Sequence, residues 1–223
     1  MSHDEYDPGE PVPGLPEVLP NGEVILWQGA PSALAMTRRG FHGTLIAIYF
    51  GVLAASSAIS SLMDGMALLP AVLSGAHFIL IGAVAFGIIA LLGYVVHRTT
   101  LYTITSKRVV MRFGMALPMT LNIPFTQIGA ADVKLFWNGA GDVAFAPKNG
   151  LPVTYAHLWP HARGFKFAQP QPTLRCVPDA KGVGELLAKA IVAQGVAGEV
   201  KPIKTKQTTQ VSQGAPSGVP AAA

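Results

Sequence analysis

The feature that most constrains this chain is the apolar stretch from His42 to Val96. Gly43 to Met63 carries no charge, Asp64 interrupts, and Gly65 to Val96 again holds no Asp, Glu, Lys or Arg. A bilayer core about 30 Å thick takes roughly 20 apolar residues as a helix, so the stretch predicts two spans, at 43–63 and 73–96. Asp64, Gly65 and Pro70 mark the turn, with Pro70 near the start of the second helix, where its missing N–H costs nothing. A buried soluble helix pair fits poorly, because no other segment is long and apolar enough to wrap it. Arg38 and Arg39 precede the first span and Arg98 follows the second, whereas the turn carries only Asp64. The positive-inside rule then puts both ends of a 42–97 hairpin, and so both termini, in the cytoplasm.

Charge divides the rest of the chain. Residues 1–37 hold the acids Asp4, Glu5, Asp7, Glu10, Glu17 and Glu23, with no Lys or Arg and no apolar run after a basic start. No signal peptide is therefore expected there. Between 99 and 177 bases outnumber acids eight to two. A basic domain beneath an anionic leaflet gains about 1 kcal/mol for each base near the surface. No helix-turn-helix, basic arm or aromatic–basic repeat is present, which argues against nucleic acid as a partner. The single Cys176 excludes an internal disulfide and cannot form a thiol metal site alone.

Taken in order, residues 1–20 form an acidic leader broken by Pro8, Pro11, Pro13, Pro16 and Pro20, a composition expected to be disordered. Residues 21–37 contribute a first strand at 23–29 after the Asn21-Gly22 turn, with Trp27 a core residue. After Arg98 the pattern becomes strands: 101–105, 109–113, 116–123, 132–136 and 143–146, then stretches near 151–158, 164–168 and 173–177. The Gly139-Ala140-Gly141 run lacks a third glycine and a following helix, so it reads as a turn and not a phosphate loop. Asp179 is a natural N-cap for a helix carrying Val183, Leu186, Leu187, Ala190 and Ile191 at helical spacing, stopped by Gly195. The fold class is thus a membrane helical hairpin plus a cytoplasmic barrel or sandwich (99–195) capped by a helix, mostly β outside the membrane. Residues 196–223 are a Lys-, Thr-, Gln-, Ser- and Pro-containing tail expected to be disordered.

Within the spans, small residues recur at four-residue spacing, notably Gly51 with Ala55 and Ala83 with Gly87. Such pairs let helix backbones approach closely in lipid. They can pack the hairpin on itself or dock a further helix, including one from a second copy. His77 is the ionisable residue inside the second span, able to bond a neighbouring carbonyl or to ligate a metal or a chlorin magnesium.

Several motifs carry a resemblance. Tyr102-x-Ile104-Thr105-x-x-Arg108-Val109 follows directly on the hairpin. Upstream stands Gly22-Glu23-x-x-Leu26-Trp27-x-Gly29-x-Pro31-Ser32, and downstream Ile123-Pro124 and Gly141-Asp142. Together these resemble the bacterial pleckstrin-homology-like (PH-like) membrane proteins. Leu158-Trp159-Pro160-His161-Ala162-Arg163 and Pro172-x-Leu174-Arg175-x-x-Pro178 narrow the likeness to the photosynthetic complex assembly proteins of purple bacteria. Gly164 departs from that pattern, which places proline after the arginine. The resemblance implies a non-catalytic assembly factor for the reaction centre and its core light-harvesting antenna, in the bacterial inner, intracytoplasmic membrane. It also implies a PH-like barrel whose first strand precedes the hairpin.

The residues argue independently against an enzyme. Asp132 on a strand, Asp142 in a turn, Asp179 at a cap and Glu185 on a helix each have a structural place, not one suited to general acid–base work. His157 and His161 beside Trp159 form a polar–aromatic cluster without a third metal ligand, and Arg163 and Lys166 would repel a cation. With Arg163 the cluster reads as a partner or headgroup surface, or as a strand-end structure. Lys107, Arg108, Arg112, Lys134 and Lys166 are candidates for lipid headgroups. No cofactor is expected, bacteriochlorophyll on His77 being the one ligand the span would offer. The expected partners are the membrane and reaction-centre and core-antenna subunits. A lipid-organising module and a pigment-delivery factor are the alternatives.

Overall fold

The computed structural model describes residue 15 and residues 19–114, 117–136, 139–149, 153–164, 167 and 169–195. Strand β1 (Ile25–Gly29) leads through a short helix α1 (Ala33–Ala35) and a π-helical turn, Met36–Gly40, into two long helices. These are α2 (Gly43–Met63) and α3 (Leu68–Thr99). Strands β2 (Leu101–Thr105), β3 (Arg108–Phe113) and β4 (Met119–Pro124) follow, then β5 (Ile128–Leu135) and β6 (Gly141–Pro147). A one-turn helix α4 (Tyr155–Leu158), strand β7 (Thr173–Val177) and helix α5 (Ala180–Ala193) complete the described chain.

Helices α2 and α3 are both long and apolar enough to cross a membrane, and only 11% and 17% of their most apolar windows are buried. A core helix of a soluble domain would be covered. Leu45, Ile48, Val52, Leu80, Val84 and Ile88 instead lie open along the hairpin. α3 begins earlier and ends later than the expected 73–96, and Pro70 occupies its first turn, where no helical N–H is required. At 1.5 Å per residue its 32 residues extend about 48 Å, well beyond an apolar core of about 30 Å.

Glycines decide how closely the two helices approach. A methyl group on Gly75 would stand 2.5 Å from the Ala54 carbonyl oxygen, and one on Gly82 would stand 2.7 Å from Phe50 Cβ. The Ser57 hydroxyl donates to the Ser74 carbonyl at 3.1 Å, and Ser61 Oγ bonds Ser74 Oγ at 2.9 Å. Gly51 and Gly87 have open space where a Cβ would stand, and Ala55 and Ala83 are exposed. The glycines that close the hairpin are therefore not those at the most regular sequence spacing.

The hairpin returns the chain to β1, which pairs antiparallel with β2 (Gln28 with Thr103, Gly29 with Tyr102). One sheet runs β1-β2-β3-β4 and the other β5-β6-β7. Their shared core contains Tyr102, Ile104, Val109, Met111, Phe125, Phe145, Leu158 and Leu174, with Trp27 packed against it. Asp179 caps α5 by accepting from the Gly182 amide at 2.9 Å, and Val183, Leu187 and Ile191 face the core. Glu23, ahead of β1, pairs with Arg108 of β3 at 2.7 Å with its own side chain 3% exposed.

Two expectations change, and a third falls largely outside the described residues. Leu15, placed in a loose leader, is buried against Val110 beside Leu19 and Ile25; the rest of 1–18 and the tail lie outside the described residues. The expected strand at 151–158 is instead α4, entered from an extended Thr154. The strand expected at 164–168 falls largely on residues outside those described, and nearby Ala162 makes an isolated bridge to Pro172.

A Gly75→Ile change should force the helices apart and cost about 1–3 kcal/mol, whereas Gly51→Ile should cost under about 0.5 kcal/mol. Melting of the detergent-solubilised protein tests this; equal losses from the two changes would refute the packing described.

Candidate functional site

The end of the hairpin next to the β domain is joined to it by a chain of buried polar groups. Thr100, between α3 and β2, is 3% exposed, and its hydroxyl lies 3.2 Å from His161 Nε2. His161 Nδ1 lies 2.7 Å from the Tyr102 hydroxyl, which accepts the Arg175 amide at 3.1 Å. With the Tyr102 hydroxyl accepting the Arg175 amide, its one proton is directed at Nδ1, which leaves Nε2–H to donate to Thr100. Burial first, and Arg175 second, hold the His161 imidazolium far out of reach, its pKa pushed down to about 3. Burial also raises the Tyr102 phenol above its ordinary range.

A second link runs through Asp142. One carboxylate oxygen accepts the Cys176 amide at 2.9 Å, and the other faces Arg175 Nε at 3.5 Å. The same guanidinium donates to the carbonyls of Pro160 and Ala162, both at 3.4 Å. Cys176 takes a left-handed conformation (φ 53°), and its carbonyl accepts the Ser32 amide at 2.8 Å. Its side chain is buried with Ala35, Met36 and Val96. Burial, with Asp142 adding to it, pushes the Cys176 thiol up to about 12, so it is no thiolate nucleophile. His97 Nδ1 lies 2.8 Å from the Pro31 carbonyl oxygen, a third tie between α3 and the segment after β1.

The residues singled out in the sequence separate in space. His161, for which a partner surface and a strand-end structural role both stood open, is 1% exposed and belongs to the joint, because its ring fills the space between Tyr102 and Phe113. His157 is exposed beside the Thr154 hydroxyl, and Trp159 is 49% exposed against Phe41. Arg163 is exposed but engaged with Asp132 at 2.6 Å. Of the expected headgroup bases, Lys107, Arg112 and Lys134 are exposed. Arg108, held by Glu23, is not free for a headgroup, and Lys166 lies outside the described residues. His77 is exposed on the outside of the hairpin beside Phe78. Among the described residues no three of His, Cys, Asp or Glu come together as a metal set.

The Tyr102–His161–Thr100 joint went unrecognised in the sequence, although its parts stood inside the quoted motifs. The His161 motif and the Arg175 motif fold onto each other through the carbonyls of Pro160 and Ala162. Residue types alone do not reveal such a contact, since a histidine beside an exposed tryptophan reads equally well as surface.

The class defined here is a small two-sheet β domain with two helices, long and apolar enough to cross a membrane, inserted after its first strand. The chain belongs to the bacterial PH domain family, whose model matches residues 45–191. It is 38% identical, over 87% of its own length and 91% of the relative's, to the Rhodobacter capsulatus "uncharacterized 23.7 kDa protein in puhA 5′ region". No solved structure matches the chain.

The buried neutral His161 makes stability depend on pH in a definite direction. Its folded pKa lies below the ordinary 6.5, so unfolding takes up a proton between the two values. The contribution is fully present above about pH 6.5 and is lost as pH falls toward about 3, at up to about 1.4 kcal/mol per pH unit. His161→Gln should be less stable at pH 7 yet show a flatter loss between pH 7 and pH 5. Parallel denaturation curves for the two proteins would refute the assignment.

Proposed function

We propose that the protein is a non-catalytic assembly factor for the photosynthetic reaction centre and its core antenna. Both long helices span the inner membrane, and both termini face the cytoplasm. The photosynthetic part rests on the name of the Rhodobacter capsulatus relative, which sets its gene in the 5′ region of puhA, and on the motif resemblance around Trp159 and Arg175. The binding part rests on one observation: the hairpin divides its small residues into an inward and an outward set. Gly75 and Gly82 are spent on closing it, while Gly51 and Gly87, with Ala55 and Ala83, face out with open space beside the glycines. A glycine on a lipid face buries nothing and costs about 1 kcal/mol of helix propensity, so its use there fits a helix that another backbone approaches.

Reaction-centre and antenna subunits are the proposed clients, docking through these faces, with a second copy of the chain the competing occupant. The buried, neutral state of His161 and Cys176 supports a non-catalytic role. A second reading, a lipid-organising module, draws on the exposed Lys107, Arg112 and Lys134. Salt-sensitive attachment of the protein's β domain to anionic surfaces would favour it.

Deleting the gene should lower reaction-centre and core-antenna levels in part while leaving pigment synthesis intact, since a stabilising binder protects half-assembled subunits from degradation. Near-infrared spectra of membranes, set beside total bacteriochlorophyll, test this. Normal complex levels would remove the assembly reading, and a collapse of pigment itself would move it to pigment delivery, with His77 the first residue to change. Gly51→Leu or Gly87→Leu should reduce client co-purification without unfolding the protein.

A further inference from the structure

Trp159, directly after α4, is a large aromatic that this turn sends outward. Leu158, its neighbour, is fully buried in the core, and the Trp159 amide bonds the Tyr155 carbonyl at 3.0 Å. Two residues further on, His161 is fixed in the polar joint. The outward position of Trp159 is therefore set from both sides and is not the result of a loose loop.

What it meets there is the mouth of the hairpin. Its ring centroid lies 5.8 Å from that of Phe41, and only His42 separates Phe41 from the first residue of α2. With consecutive Cα atoms about 3.8 Å apart, Phe41 lies within about 8 Å of the first residue of α2. Half of the Trp159 surface remains open after this contact. Around the same mouth, Arg38, Arg39 and Arg98 are exposed, and Arg39 lies over the Phe136 ring at 5.9 Å. Leu34, on the short helix packed against α3, is 57% exposed.

An exposed tryptophan and leucine among arginines, level with the end of an apolar helix, is the composition of a membrane–water interface. Indole rings settle at the headgroup level, and arginines meet phosphate there while their stems lie along apolar surface. We infer that Trp159, with Phe41 and the Arg38–Arg39 pair, seats the β domain directly on the phospholipid headgroup–acyl boundary. This inference rests on the reading that α2 and α3 span the bilayer. It adds that the domain lies against the membrane through α4 and is not suspended clear of it.

The test uses the full chain with Trp27→Phe and Trp137→Phe, so that Trp159 alone emits, reconstituted into phosphatidylcholine–phosphatidylglycerol vesicles. Lipids brominated near the glycerol backbone should quench its emission about twofold, while lipids brominated at the chain ends should quench it little. Because Trp27 packs on the core, the same lipids are also applied to Trp137→Phe and to Trp137→Phe with Trp159→Phe, both keeping Trp27. The shallow-bromine component should be present in the first and absent in the second. Full access of Trp159 to aqueous acrylamide, with no quenching by shallow bromine, would overturn the inference. Val52→Trp, near the middle of α2, in the protein lacking the other tryptophans reports insertion separately. Quenching there by deep bromine, with none at Trp159, would leave the spans standing and remove only the seat. No quenching at either position would remove both.

Discussion

The structure depends on one pairing, that of β1 with β2 across an insertion of membrane length. The strands are neighbours in space but lie on opposite sides of α2 and α3 in the chain. The entropy of closing a loop grows only with the logarithm of its length, so a long insertion is tolerable if it comes back to its starting point. The return is enforced by Gly75 and Gly82, which let two backbones meet, and by the serines at 57, 61 and 74, which bond across the seam. Without that close approach the four-stranded sheet would lose β1, and Glu23 would lose its partner Arg108.

Much of this plan was legible from residue order. Unbroken apolar runs have few soluble solutions, so α2 was readable to the residue and α3 in its central part. β2 and β3 are dense in Val, Ile, Tyr and Thr, and Asp179 announced the final helix. What escaped did so for physical reasons. β5 begins at Ile128, but Gly129, Ala130 and Ala131 carry no branched side chain to signal a strand; their place comes from pairing with β6. α4 is a single turn held by Leu158 in the core, too short for any periodicity to appear. Spacing picked out Gly51 and Gly87, because a four-residue rule finds small faces but not which face the partner helix takes. For His161 the choice between surface and structural role stayed open, because its burial follows from the meeting of segments apart in the chain.

The candidate site is better described as a joint than as a pocket. Its titratable members are kept neutral by burial, and its charged pair, Arg175 with Asp142, is used to bind backbone amides and carbonyls. A nucleophile or proton carrier needs access and a pKa near working pH, and Cys176 and His161 have neither. What the arrangement does achieve is stiffness. α3 runs from the hairpin into the domain without a break, Val96 packs with Cys176, and one residue after the helix Thr100 is already bonded to His161.

Under the proposed assembly role, stiffness bears on how a client would be recognised. If the hairpin and the domain moved independently, a helix docked beside Gly87 would gain nothing from side chains above the membrane. With α3 continuous into β2, and His97 and Ser32 tying the segment after β1 to α3 and β7, the two parts present their surfaces in one relation. A second contact made by the same client is then intramolecular, and its contribution is multiplied by the effective concentration that a short rigid connection provides. Weak contacts, a close-packed glycine in lipid and a charged or aromatic rim contact above it, then suffice together where neither would alone. That is the affinity range an assembly factor requires, since it must hold a subunit long enough to protect it and release it when the finished complex offers more.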